Sequence, residues 1–190
     1  MALRTSPEQW GSVAKFLHWS IALLVFVMLI VGLNMDDLPN GPDKIKVYAL
    51  HKSVGVSILA LALLRLLWRV FDPRPADPPG MGTPARIASR LVHFLLYAML
   101  FVMPLSGWLY NSASNFPLKW FGLVTLPALS GPDKELKHLG HEFHETGYVI
   151  LLVLISIHAA AALKHHFIDR DSVLRRMLPF VRQRPGAPLP

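Results

Sequence analysis

HETGYVILLVLISIHAAAALKHH, residues 144–166, holds neither proline nor charge between Glu145 and Lys164. Eighteen consecutive uncharged, mostly apolar residues wound as a helix are about long enough to cross a bilayer's hydrocarbon, so a membrane span is expected here. His144 and His158 stand fourteen positions apart on it. Fourteen steps of about 100° return to within roughly 40° of the starting direction, and fourteen rises of about 1.5 Å make roughly 21 Å. One helix therefore offers two imidazoles on one face, one towards each end. A buried imidazole at membrane depth needs a partner, and haem iron is one that suits it.

Three further spans are expected on either side of this logic. The first covers about 14–33 and contains KFLHWSIALLVFVMLIVGL, with His18 near its start. Lys15 ahead of an apolar run is also how a signal peptide begins, but the run is too long, carries a histidine and has no small-x-small cleavage site after it. NMDDLPNGPDKIK, residues 34–46, reads as a loop. The second span covers about 47–71, with His51 at its start and Arg65 and Arg69 at its end. DPRPADPPGMGTP, residues 72–84, holds five prolines, and no helix is expected to cross it. The third span covers about 91–110, with His93 at its start and Pro104 and Gly107 near its end, and the fourth covers about 144–167. Between them lies the longest loop, 111–143, with Trp120, His138 and His141. The expected fold is one all-α integral membrane domain over 1–190, a bundle of four transmembrane helices.

Composition agrees with that class. Of 190 residues, 53% are hydrophobic and 16% are charged, against roughly a quarter charged in soluble domains. With no cysteine, disulfides, thiolate-held iron–sulfur clusters and covalent CxxCH haem are excluded. Four spans put both ends of the chain on one side, and the basic residues say which. Thirteen of the 19 Lys and Arg fall on the side of the ends and the Pro-rich linker, including every arginine. The ends are therefore expected in the cytoplasm. Nothing in the charge pattern calls for a nucleic-acid partner; membrane lipid is the expected surrounding.

That orientation pairs the histidines by depth. His18 and His158 lie towards the cytoplasmic side, His51 and His144 towards the outer side. Two bis-histidine haems b, held without covalent bonds and stacked across the membrane, fit this pattern. Gly32 is fourteen residues after His18 and Arg65 fourteen after His51, with Arg69 one turn further on. Glycine at Gly32 and Gly55 leaves room for a porphyrin, and Arg65 and Arg69 are candidates to bind haem propionates. Either could equally be ordinary helix packing or a basic membrane edge. His93 lies at the inner depth as a substitute ligand or propionate donor. His138, His141 and His144, spaced i, i+3, i+6, offer a surface metal site, although HEFHE is not the zincin HExxH.

These residues resemble the bacterial cytochrome b561 family over nearly the whole chain. The likeness rests on His18-Trp19, on HKSVGVSIL and LRLLWR between His51 and Arg69, on LVHFLLYAMLFVMPLSGW, and on the fourth span followed by LRRMLP. The resemblance implies a four-helix bundle with two b haems ligated by His18, His51, His144 and His158. It implies that His165 or His166 borders a quinone site. Family members include superoxide oxidases, which pass electrons from superoxide at the outer face to ubiquinone near the inner face. The outer side carries six lysines against seven carboxylates, so no overall field draws an anion there. Lys52, directly after a proposed ligand, is the candidate for local steering of superoxide. The competing expectation is an electron-transfer module that exchanges electrons between ubiquinol and a periplasmic redox protein.

Overall fold

A computed structural model of the chain describes residues 2–78 and 80–181. Pro79 of the linker, the tail residues Arg182 and Arg184, and the closing GAPLP lie outside the described residues. The elements run α1 (Ser12–Asn34), α2 (Pro42–Phe71), α3 (Thr83–Ala113), β1 (Leu118–Trp120), β2 (Val124–Leu126), α4 (Lys134–Phe167) and α5 (Val173–Met177). The four long helices are each long and apolar enough to cross a membrane. Their large apolar side chains bear this out: Phe16, Leu23, Phe26, Leu64 and Val153 are exposed on the helix surfaces, as lipid contact permits and water does not. The protein is a multi-pass membrane protein.

The helices outrun the apolar spans, and the reasons are local. α2 opens at Pro42, where a missing N–H costs nothing, and has Asp43 in its first turn. α4 opens at Lys134, ten residues before His144, because Asp133 Oδ1 accepts hydrogen bonds from the backbone N–H groups of Glu135 and Leu136 at 2.8 and 2.9 Å. An apolar run marks the depth of hydrocarbon, whereas a cap marks the end of a helix. Inside the expected loop 111–143 the chain also forms a hairpin. β1 pairs antiparallel with β2, Leu118 opposite Leu126 and Trp120 opposite Val124. The turn needs two left-handed residues, Phe121 (φ 47°) and Gly122 (φ 73°), closed by Leu123 N–H donating to Trp120 O at 2.9 Å.

The chain divides into two compact units. One comprises the described parts of Met1–Ser20, Leu63–Leu96 and Leu152–Pro190. In it the N-terminal lead, the Pro-rich linker and the tail are tied together. Asp72, which is buried, accepts from Thr5 N–H at 2.8 Å and Thr5 Oγ1 at 2.5 Å. Lys15 Nζ, also buried, donates to Leu178 O at the end of α5 at 2.9 Å and to Val181 O beyond it at 3.3 Å. Trp19 Nε1 donates to Met177 O at 2.8 Å. The other unit comprises Ile21–Ala62 and Tyr97–Leu151. Its core includes Ile21, Val25, Ile58, Ala62, Met99 and Leu118. Ser53, only 1% exposed, donates from Oγ to Ala49 O and accepts from Phe121 N–H at 2.9 Å, fastening the hairpin turn to α2.

Candidate functional site

In the first unit α1 presents His18 and α4 presents His158, with ring centres 6.2 Å apart and planes at 76°. His93 of α3 stands 5.1 Å from His158, so three imidazoles meet there. Its Nδ1 donates to Ser89 O at 2.6 Å, one turn back on the same helix. Trp19 lies edge-on to His18 at 5.3 Å. Arg65 reaches the same region, its Nη1 donating to Ala14 O at 3.3 Å.

In the second unit α2 presents His51 and α4 presents His144, with ring centres 6.1 Å apart and planes at 70°. His144 Nδ1 donates to Met103 O at 3.0 Å, with Ser106 Oγ 3.2 Å away. A ring held through Nδ1 keeps its Nε2 lone pair for a metal, which is how ligating histidines are usually oriented. Pro104 lies inside α3 between these two anchors and removes a helical N–H there. Gly107 is required by close approach: a Cβ built on it would stand 3.1 Å from His144 Cε1. Gly32 faces the other member of the pair, its Cβ position 3.6 Å from His51 Cε1, and at Gly55 nothing lies within 4 Å. His51 Nδ1 is buried and has no hydrogen-bond partner among the described residues.

These features fit haem iron, which His18 with His158 in one unit and His51 with His144 in the other would hold. Two imidazoles that shared one metal ion through ring nitrogens would have their ring centres about 6 Å apart. The pairs stand at 6.2 and 6.1 Å. The His144 ring already has its Nδ1 engaged, the His51 Nδ1 has no partner among the described residues, and Gly107 stands where a side chain would crowd His144.

The remaining candidates are placed less uniformly. Lys52 Nζ donates to Asn111 Oδ1 at 3.0 Å, so its ammonium is tied to the end of α3. His165 Nδ1 meets Asp171 Oδ2 at 2.6 Å, and Lys164 donates to both oxygens of Asp169 at 2.7–2.8 Å, holding that carboxyl below its ordinary pKa. His166 packs on Phe167 at 4.7 Å and joins Phe167, Arg170, Asp171 and Arg175 around an open cleft of about 280 Å³. Of the expected i, i+3, i+6 histidine cluster, His144 turns instead to Met103 O. Around that cluster the ligand atoms that do converge are those of His141, Glu142 and Glu145, all within 4.8 Å; His138 lies 4.0 Å from Glu142. Sequence reasoning passed over Met103, Ser106 and the role of Gly107. The signal was there in Pro104-Leu105-Ser106-Gly107, a proline with a small hydroxyl and a glycine inside an apolar span.

Four membrane-length helices with imidazoles paired among them point to a class, the multi-pass membrane cytochromes. The match is closer than class. The chain belongs to the prokaryotic cytochrome b561 family, whose family model covers residues 9–180, and the family implies haem b and electron transport. It is 35% identical over 182 residues to cytochrome b561 homolog 2 of Escherichia coli K12, covering 94% of this chain and 95% of that one. It is 31% identical over 167 residues to cytochrome b561 homolog 1 of the same organism, 86% and 93% of the two chains. It is 26% identical over 167 residues to the probable superoxide oxidase CybB of Yersinia pestis, 86% and 92% of the two chains.

Proposed function

We propose that this protein is a di-haem cytochrome of the bacterial inner membrane, with both ends in the cytoplasm, that oxidises superoxide at its outer face and reduces ubiquinone. The observation that carries the reading is the pair of histidine pairs, one in each compact unit, at spacings of 6.2 and 6.1 Å. His18 and His158 would hold one haem, His51 and His144 the other. Bound haem supplies reversible one-electron chemistry. Around it the chain's own residues orient, shield and neutralise. Met103 O holds the His144 ring through Nδ1. Arg65 and Arg69 are cations for the propionates of the inner group. Trp120 donates from Nε1 to Ser57 Oγ at 3.1 Å, which fixes the hairpin's first strand to α2 near His51. His165 and His166 offer titratable nitrogens to a quinone that must take up protons. The balance is two superoxide anions, one ubiquinone and two protons giving two O₂ and one ubiquinol. Support for superoxide itself is the name carried by the 26% identical relative, with Lys52 as the local cation beside His51.

A second reading has its own support: seven carboxylates against six lysines on the expected outer side, and a Lys52 ammonium already engaged by Asn111. On that reading a basic periplasmic redox protein replaces superoxide and ubiquinol is the donor. The experiment exposes purified, oxidised protein to a superoxide source and follows the b-haem band with and without ubiquinone. Fast haem reduction, abolished by superoxide dismutase and followed by quinone reduction, establishes the oxidase. Reduction by ubiquinol alone refutes it in favour of the electron-transfer module.

A further inference from the structure

We propose that the β1–β2 hairpin folds back to membrane depth against α2 and seats Leu123 and Val124 against the acyl chains of the bilayer. The segment that carries the hairpin does not have the composition of a loop in water. Between Arg90 and Asp133 the chain holds one charged residue, Lys119. The apolar side chains of the hairpin are left uncovered: Leu123 is 78% exposed, Val124 53% and Phe121 48%. Phe116, before β1, and Leu129, beyond β2, are exposed as well. In water a patch of this kind invites aggregation, whereas against lipid it is the ordinary state of a membrane surface.

Depth decides between the two surroundings. The hairpin is fastened to α2 at two points: Phe121 N–H donates to Ser53 Oγ at 2.9 Å, and Trp120 Nε1 donates to Ser57 Oγ at 3.1 Å. α2 has 30 residues, Pro42–Phe71, and a hydrocarbon layer takes up about 20 of a helix. Wherever that layer is placed along α2, its central residues 52–61 lie within it, Ser53 and Ser57 among them. Lys52, at the edge of this stretch, turns its ammonium to Asn111 Oδ1 at 3.0 Å, towards the end of α3. The other flank agrees. Trp108, inside the last turns of α3, donates from Nε1 to Pro127 O at 3.1 Å, directly after β2.

Non-helical backbone is tolerated at that depth only where the protein meets its polar groups. Here β1 pairs with β2, Leu123 N–H donates to Trp120 O at 2.9 Å, and Ser53 Oγ takes the Phe121 N–H. Pro127 has no N–H to satisfy. Lys119 is exposed, and its stem is long enough to carry the ammonium back to the headgroups. The two serines follow His51 by two and six residues. Lipid packed on the hairpin therefore bears on the part of α2 that presents His51. The proposal rests on the four membrane helices and is independent of what the protein oxidises.

The chain has no cysteine, so a single introduced thiol reports on one position. The test places full-length, haem-loaded Leu123→Cys and Val124→Cys in phosphatidylcholine nanodiscs, whose two faces are both open to added reagent. Asp37→Cys, exposed before α2, is the water reference, and Val153→Cys, exposed on α4, is the lipid reference. The rate of labelling by a charged maleimide is measured first. Bimane attached at the same thiol is then compared in ordinary lipid and in lipid brominated along its acyl chains, so that quenching by haem is common to both. A thiol among acyl chains ionises poorly and the thiolate is what reacts, so both variants should label at least about tenfold more slowly than Asp37→Cys. Brominated lipid should quench bimane in both, as in Val153→Cys and unlike Asp37→Cys. Labelling as fast as in Asp37→Cys would overturn the proposal and return the hairpin to water. Slow labelling without quenching by brominated lipid would overturn it too, because protein, a second copy of the chain included, would then cover the face.

Discussion

His144 shows how much one residue's surroundings matter. Many histidines near the end of a membrane helix are simply interfacial. This one is turned inward, held by Met103 O and flanked by Ser106 Oγ and Gly107, with His51 opposite. On the proposed pairing, His144→Ala would remove one of the two nitrogens that hold the haem of its unit and leave the other unit's pair intact. Bound haem, measured as the pyridine haemochrome, should fall from two per chain to about one, and His51→Ala should do the same. Two full haems in either variant would sink the pairing of His51 with His144. The identities of the four paired histidines were legible in the sequence, because helical spacing and span direction set their depth. The partners that aim them were not, since Met103 O and Ser106 Oγ meet His144 only through the rotation of α3 against α4.

At the level of elements, α3 and α4 come into backbone contact at Gly140, before the apolar span of α4 begins. A Cβ built on Gly140 of α4 would stand 2.8 Å from Tyr110 N and 3.0 Å from Tyr110 Cα, both backbone atoms of α3 that cannot step aside as a side chain can. Gly140→Ala should therefore cost about 1–3 kcal/mol through forced separation of the helices. Thermal unfolding in detergent, read by far-UV circular dichroism, should shift down by several degrees while the haem content stays at two. An unchanged midpoint would mean that the helices part there without cost. The early start of α4 that creates this contact comes from the Asp133 cap. A D-x-E sequence before a polar stretch hints at such a cap, but hydropathy alone passes over it.

For the molecule as a whole, the described residues of the tail are part of the fold. Lys15 Nζ depends on Leu178 O and Val181 O, Trp19 Nε1 on Met177 O, and Arg176 Nη1 donates to Ala76 O at 2.6 Å. A chain ending at Asp171 would leave the buried Lys15 ammonium without those two carbonyls, and hydrogen bonds to a charged group contribute about 1.5–3 kcal/mol each. Such a truncation should melt at lower temperature and lose the histidine pair of its own unit first, seen as preferential loss of one b-haem signal. Lys15→Met in the truncated chain should recover part of the loss, because it removes the stranded charge; no recovery would place the tail's contribution elsewhere.

Length and apolar runs were enough to establish four membrane spans, and the spacing of histidines to pair them by depth. Those properties depend on composition and helical periodicity, which are local and written directly in the chain. Tertiary structure decided how each imidazole is held, that Lys52 turns to Asn111, that the loop after α3 closes as a hairpin on Ser53, and that His165 meets Asp171. Each of these is a contact between groups far apart in the chain or across a turn. A hydrogen bond depends on distance and direction, and neither exists until the helices have packed.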